Sequence, residues 1–335
     1  MSRKDDHIEK ALQQRAQNND FDRIRFVPVA LPQIATKDIN LQTTFLNNTI
    51  EVPIYINAMT GGTKRAKGIN AKLATIAKHF HIPLVLGSLS EAIKHDAAKP
   101  SYQIARKIIP KNTGMILANI GADKSLDLMQ KALDIIDGDG LQIHLNAPQE
   151  LLMPEGERDF KAWGENLKDA QQIKVPLMAK SVGYGMSYET MLKLKAIGFK
   201  AVDISGRGGT DFNAIENSRS LYAMPYLNQW GLSTVESLLE AKKIEGLTLY
   251  ASGGIRHALD IVKALALGAE AVGMASYFLH LIEDNSLDEA LEKTTQLIVD
   301  IKRIMTMLGA KDISALRKKE MLFDPHLQNF LQQRQ

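Results

Sequence analysis

The sequence predicts a closed (β/α)8 TIM barrel with an N-terminal extension and C-terminal helices. Eight short β-branched or apolar runs recur along it, each followed by a stretch of helical pattern, the alternation of βα units around a parallel sheet. Their motifs do not divide into two halves as a doubly wound sheet would divide them, so a closed barrel matches better. At 335 residues the chain has room for such a barrel, which occupies about 250 residues.

Residues 1 to 45 precede the first strand and hold one charged helix and a Pro-punctuated segment, an N-terminal extension of the same domain. The strands follow as VPIYINAM from Val52, IPLVLGS from Ile82, TGMILANIG from Thr113 and GLQIHLN from Gly140. VPLMAKS from Val175, KAVDISG from Lys200, LTLYASGG from Leu247 and EAVGMAS from Glu270 complete the eight. Helices are expected from Gly68 to Phe80, Tyr188 to Phe199 and Ser233 to Ile244, the last opening on Ser233 and Glu236 as a capping box. Ser286 and Glu289 cap a further helix that stops at Gly309, and 286–335 reads as a C-terminal helical tail of a single domain, 1–335.

Composition excludes several classes. The 41 basic and 38 acidic residues are intermixed and give a net charge of only +3, with no basic block interleaved with aromatics, so no nucleic-acid partner is expected. Lys64, Arg65 and Lys67 read as a solvated face. The absence of cysteine removes disulfides, thiolate catalysis and Cys-built zinc sites. The charged start lacks the apolar core of a signal peptide. The longest uncharged apolar stretch, Ala271 to Ile282, is far short of the ~20 residues of a membrane helix. A soluble, cytoplasmic protein is expected.

In barrels of this kind the C-terminal strand ends and the loops after them build the active site. Here those ends carry Asn57 to Thr60, Gly87-Ser88, Asn119, His144 and Asn146, Lys180, Ser205, Ser252 to Gly254 and Ala275-Ser276. Each alone fits a cap or a turn; together they make a polar mouth. Glycines after strands seven and eight let backbone N–H groups approach a phosphate. Lys180 ends an apolar strand, where an ammonium needs an anion, a polar cofactor edge or a rim salt bridge. HLNAPQE sets His144, Asn146, Gln149 and Glu150 within seven residues, a set suited to a hydrated divalent ion and an oxyanion.

The motifs INAMTGG, GSLSEAI, ANIG, HLNAPQELLMPEGERDF, SGRGGTDF, YLNQWG and ASGGIR, with RKDDHIEKAL near the start, resemble the type 2 isopentenyl-diphosphate isomerase family over nearly the whole chain. The resemblance implies an enzyme that interconverts isopentenyl and dimethylallyl diphosphate with reduced FMN and Mg2+, NAD(P)H (NADPH or NADH) serving as reductant. It places Ala58, Met59, Thr60, Ser88, Asn119, Lys180, Ser205 and Thr210 along the flavin, and Gly253, Gly254, Arg256, Ala275 and Ser276 around its phosphate. Arg3, Lys4 and His7 would hold the diphosphate, Gln149 would sit near the alkene and Glu150 on the metal, with His144 and Asn146 steadying the diphosphate or its metal. Gln149, His144 and Lys180 are thereby the catalytic candidates, and a homo-oligomer of four or eight chains is expected. Ser181 and Ser90 stand where many members carry an acidic and a basic residue.

Two rivals remain at this stage. A 2-hydroxy-acid oxidase would place a base histidine in the loop after strand six, but SGRGGTDF has none. A non-enzymatic phospho-ligand binder would not need Gln149 beside Glu150, nor a lysine at a flavin edge.

Overall fold

In the computed structural model, which describes residues 3–14 and 19–334, eight parallel strands close on themselves. They are β1 (Ile54–Ile56), β2 (Leu84–Val85), β3 (Ile116–Gly121), β4 (Gly140–Leu145), β5 (Leu177–Ser181), β6 (Ala201–Asp203), β7 (Thr248–Ser252) and β8 (Ala271–Met274). Each pairs with its sequence neighbour, and β8 returns to β1. The eight apolar runs of the sequence supply these strands, because strands covered by helices outside and side chains inside are apolar on both faces.

Several helices of the ring are started by side chains that satisfy the first free N–H groups. Thr63 caps Lys64–Phe80 and Ser187 caps Tyr188–Ile197. Both expected capping boxes form, Ser233 with Glu236 ahead of Thr234–Ala241 and Ser286 with Glu289 ahead of Leu287–Met307.

The terminal segments differ in detail from the expectation. Leu287–Met307 packs against Ala258–Ala266 and Lys64–Phe80, which makes it the eighth helix of the ring. The tail beyond it is not wholly helical: Met321–Phe323 pairs antiparallel with Ile24–Phe26. Arg23 then bonds Asp324 at 2.6 Å, tying the two ends of the chain together. The N-terminal helix, Arg3–Gln13, buries Ile8 and Ala11 and lies against Ser276–Asp284 and Phe212–Asn217 at the C-terminal end of the barrel.

The opposite end is plugged. A hairpin of Thr43–Phe45 and Asn48–Ile50 inserts Phe45 between Tyr55 and Tyr250, with ring centroids 4.9 Å from each. Gly273 is part of this fit, since a Cβ there would lie 2.4 Å from the Tyr55 ring. Among the described residues no helix is long and apolar enough to cross a membrane. Phe45→Ala removes a fully buried ring from the plug and should cost about 3–5 kcal/mol, read as a lower urea midpoint at unchanged slope.

Candidate active site

A cavity of about 900 Å3 opens where the eight strands end, bordered by residues from every strand end and by the N-terminal helix. Its floor is organised by Asp203, the last residue of β6 and fully buried. One carboxylate oxygen accepts from Asn57 Nδ2 at 2.7 Å and pairs with Lys180 Nζ at 3.1 Å. The other accepts from Ser252 Oγ at 2.7 Å and from the Ser205 backbone N–H at 3.1 Å. Burial pushes the Lys180 pKa down, and the Asp203 charge opposes that push. The lysine is paired with a buried carboxylate inside the barrel, and the rim salt bridge allowed by the sequence is not what forms.

On the neighbouring strands, Asn119 Oδ1 lies 2.9 Å from His144 Nδ1. Burial lowers the His144 pKa to about 4, against a partial opposing effect of Asp123, and Lys4, Lys180 and Lys124 add to the depression. The imidazole is neutral at pH 7. Thr60, nearly fully buried, has a hydroxyl oxygen with no hydrogen-bond partner in the described structure. A buried hydroxyl left unpaired at the cavity wall is open to a hydrogen bond from whatever the cavity holds.

The loops after β6 and β7 interlock through glycine. Gly253 and Gly254 have φ of 90° and 73°, in the left-handed region, and a Cβ on Gly253 would lie 2.1 Å from the Gly206 carbonyl oxygen. Ala275 and Ser276 open the helix Ser276–Asp284 at the cavity border, and the first-turn N–H groups of that helix receive no side-chain cap. Arg256 borders the cavity, but its guanidinium is clamped by Asp22 at 2.7 and 2.8 Å and by Asp260 at 2.9 and 3.0 Å. It fastens the N-terminal segment to the cradle.

At the mouth, HLNAPQE turns from β4 into a short helix, Ala147–Leu152, with proline in its first turn. Asn146 Nδ2 donates to Glu150 Oε1 at 2.8 Å, and the Glu157 N–H donates to Glu150 Oε2 at 2.9 Å. Gln149 Nε2 donates to Glu216 Oε1 at 3.0 Å, and His7 Nε2 lies 3.2 Å from the same oxygen. Burial works against the Glu216 carboxylate, but bonds from His7 and Gln149 and the Arg219 charge outweigh it and hold its pKa below the usual range.

The N-terminal helix sits over this group, with Lys4 and His7 one turn apart and bordering the cavity. Asp5 accepts from Thr63 Oγ1 at 2.7 Å, and Arg65 bridges Glu9 and Glu283 at 3.0 Å each, so Arg65 is a staple rather than a solvated charge.

All the candidate residues border this one cavity except Arg3, whose side chain lies outside the described residues. Ser205 and Thr210 lie on the wall from β6, and Met59, Ala58 and Ser88 on the wall from β1 and β2. Of the two departures, Ser90 borders the cavity beside Ser88, their hydroxyls 3.1 Å apart, whereas Ser181 is buried away from it. Sequence reasoning missed Asp203 and Glu216. A charge ending the short run KAVD was a signal for the first; Glu216, in FNAIEN, looks like any solvated helix residue.

A neutral His144 has a consequence for stability. The unfolded chain takes a proton near pH 6.5 that the native state refuses until about pH 4, so His144 subtracts stability as pH falls through that window and no more below it. In urea titrations His144→Gln should flatten the fall in stability between those pH values; an unchanged pH slope would contradict the neutral assignment.

The family described as FMN-dependent dehydrogenase matches residues 5–123 and 157–323. Isopentenyl-diphosphate delta-isomerase of Staphylococcus saprophyticus subsp. saprophyticus is 45% identical over 336 residues, covering 99% of this chain and 96% of that protein. The protein of the same name from Staphylococcus aureus strain N315 is 43% identical with the same coverage. Among solved structures, a flavocytochrome b2 variant with benzoylformate superposes with a TM-score of 0.72 at 18% identity, covering 98% of this chain and 84% of that one. A mandelate oxidase variant with 2-hydroxy-phenylacetamide gives 0.66 at 15%, covering 95% and 94%; at such identities the likeness is one of fold. Matched along nearly its whole length, the chain belongs to the isopentenyl-diphosphate delta-isomerases built on the FMN-dependent dehydrogenase barrel.

Proposed function

We propose that this protein interconverts isopentenyl and dimethylallyl diphosphate, using reduced FMN, Mg2+ and NAD(P)H as the source of flavin electrons. The observation that carries the reading is Gln149, held by the buried Glu216 beside Glu150 and beneath the helix bearing Lys4 and His7. The oxidase alternative is disfavoured because the loop Gly206–Phe212 offers no histidine as base for a hydroxyl proton.

The unpaired Thr60 hydroxyl and the glycine cradle fit a flavin nucleotide. Ala58, Met59, Thr60, Ser88, Asn119, Ser205 and Thr210 would border its ring, with Lys180 at the polar edge, and Gly253, Gly254, Ala275 and Ser276 would receive its phosphate. Arg256 would act there through its backbone and through the clamp on Asp22. Reduced FMN would supply the acid–base chemistry and an electron-rich face for a substrate with cationic character.

The chain's own share is binding and orientation. Asp203 holds the Lys180 side chain at the cavity floor and opposes the burial that works against its charge. Glu216 accepts from Gln149 Nε2, and Asn146 donates to Gln149 Oε1 at 3.3 Å, so both ends of the amide are oriented before substrate arrives. Glu150 keeps a lone pair on each oxygen after accepting its two bonds, enough for one carboxylate contact to Mg2+ whose other ligands are water and diphosphate. Lys4 and His7 at the mouth suit charge-assisted bonds to the diphosphate, and the helix that carries them screens the site from water. Leu221, Tyr222, Tyr226 and Trp230, exposed on the loop after β6, support the homo-oligomer reading, since clustered exposed apolar groups mark contact surfaces.

The test is an anaerobic assay with FMN, NADPH, Mg2+ and isopentenyl diphosphate, following dimethylallyl diphosphate by proton NMR. Conversion that requires reduced flavin is expected; flavin reduction by a hydroxy acid without isomerisation would overturn the reading. Glu150→Gln should raise the Mg2+ concentration needed for half-maximal rate while flavin absorbance shows full occupancy. Gln149→Leu should lower kcat by about 10^2–10^4-fold, the usual worth of a positioned acid–base group, again with flavin retained.

A further inference from the structure

We propose that Gln142 is a positioning residue: acting through Asn119, it fixes His144 as the Nδ1–H tautomer and leaves Nε2 as the ring's hydrogen-bond acceptor. Gln142 lies two residues before His144 on β4, so both side chains point into the barrel, and Asn119 is its register partner on β3. No role follows for Gln142 from the cavity lining, because it lies beneath it and is fully buried.

The inference rests on direction. Asp203 can only accept, so the Asn57 group facing it at 2.7 Å is the Nδ2 amine. The Ala58 backbone N–H can only donate, and it reaches the other end of the same amide, Oδ1, at 2.8 Å. Asn57 is thus locked from both sides and presents an oxygen to Gln142. Gln142 answers with Nε2, 3.3 Å from that oxygen and 3.4 Å from Met178 Sδ, another acceptor. Its Oε1 is left to accept from Asn119 Nδ2 at 2.8 Å. Asn119 therefore turns Oδ1 to His144, and the nitrogen 2.9 Å away must carry the proton. Reversing the last amide would set oxygen against oxygen at Gln142. Asn57, Asn119 and Gln142 are all buried, so no solvent is at hand to repair such a clash.

One group pulls the other way. Asp123 is the acidic neighbour that favours a proton on the imidazole, and its carboxylate is paired with Lys124. Lys4, Lys124 and Lys180 act against a second proton. Without the amide chain, a proton on Nε2 would gain the field of Asp123, so the tautomer depends on which influence wins. If the isomerase reading holds, an accepting Nε2 meets a proton donor, such as a water of the hydrated cation, rather than a bare phosphoryl oxygen.

The experiment is solid-state nitrogen-15 NMR of the oxidised, FMN-loaded protein labelled with [15N]histidine, with His144 assigned by its loss in His144→Gln. The expected result is a protonated Nδ1 and a bare Nε2 at pH 7. Gln142→Leu should convert that single form to a mixture or to Nε2–H. Gln142→Glu should restore the single form as the neutral acid, because a protonated carboxyl there donates toward Asn57 Oδ1 and still accepts from Asn119. A wild-type spectrum with Nε2 protonated overturns the proposal even if the leucine variant does not fold, and so does an unchanged tautomer in folded Gln142→Leu. The spectra do not depend on turnover: an inactive protein with the expected tautomer would overturn the isomerase reading and leave this one standing.

Discussion

A single carboxylate inside the barrel orients most of what surrounds it. Asp203 accepts from Asn57 on the β1 side, Lys180 on β5, Ser252 on β7 and the backbone after its own strand. Burying an ion is costly unless it is paired and its remaining lone pairs are filled. Here both conditions are met, and the result is directional. Because a carboxylate cannot donate, each group facing it has its donor end settled, and the amides beyond it inherit that polarity. Removing the acid would leave the Lys180 ammonium stranded in the barrel, a change that typically costs about 3–5 kcal/mol.

The barrel is divided into two layers with different work. At the hairpin end, Phe45, Tyr55 and Tyr250 pack as tilted and edge-on rings, and Tyr250 Oη accepts from the Leu46 N–H at 2.8 Å. At the cavity end the inward positions change to Asn, Gln, Lys, Asp and His. An apolar layer held to high density supports a polar layer whose side chains keep their rotamers, which is the condition for a preorganised site.

The mouth depends on contacts distant in sequence. Glu216 from the β6 loop joins Gln149 from the β4 loop to His7 from the N-terminal helix, and Arg219 closes the group with bonds to Glu216 and Glu155. A helix that looks like a solvated, charged start has an apolar edge, Ile8 and Ala11, buried in the core. The lid over the cavity and the orientation of Gln149 are therefore one structural unit.

The sequence by itself determined the architecture. Eight apolar runs alternating with helical patterns leave a closed parallel barrel as the arrangement that buries them, and Ser233 and Ser286 announce their helices because a capping box is a local exchange of hydrogen bonds. It also determined the candidate wall, since a barrel collects its strand ends at one mouth wherever they fall in the chain. Only the tertiary structure decided how those groups are paired. Nothing in KAVDISG says that Asp203 will hold Lys180, nothing in FNAIEN says that Glu216 will lie under Gln149, and nothing in GLQIHLN says that Gln142 will turn an amide toward Asn119. Nor does ASGGIR reveal that the Arg256 guanidinium is spent on Asp22 and Asp260. Periodicity and capping act over a few residues and are written in local order; donor–acceptor pairing across a barrel is set by which strands become neighbours, and that exists only once the chain has closed.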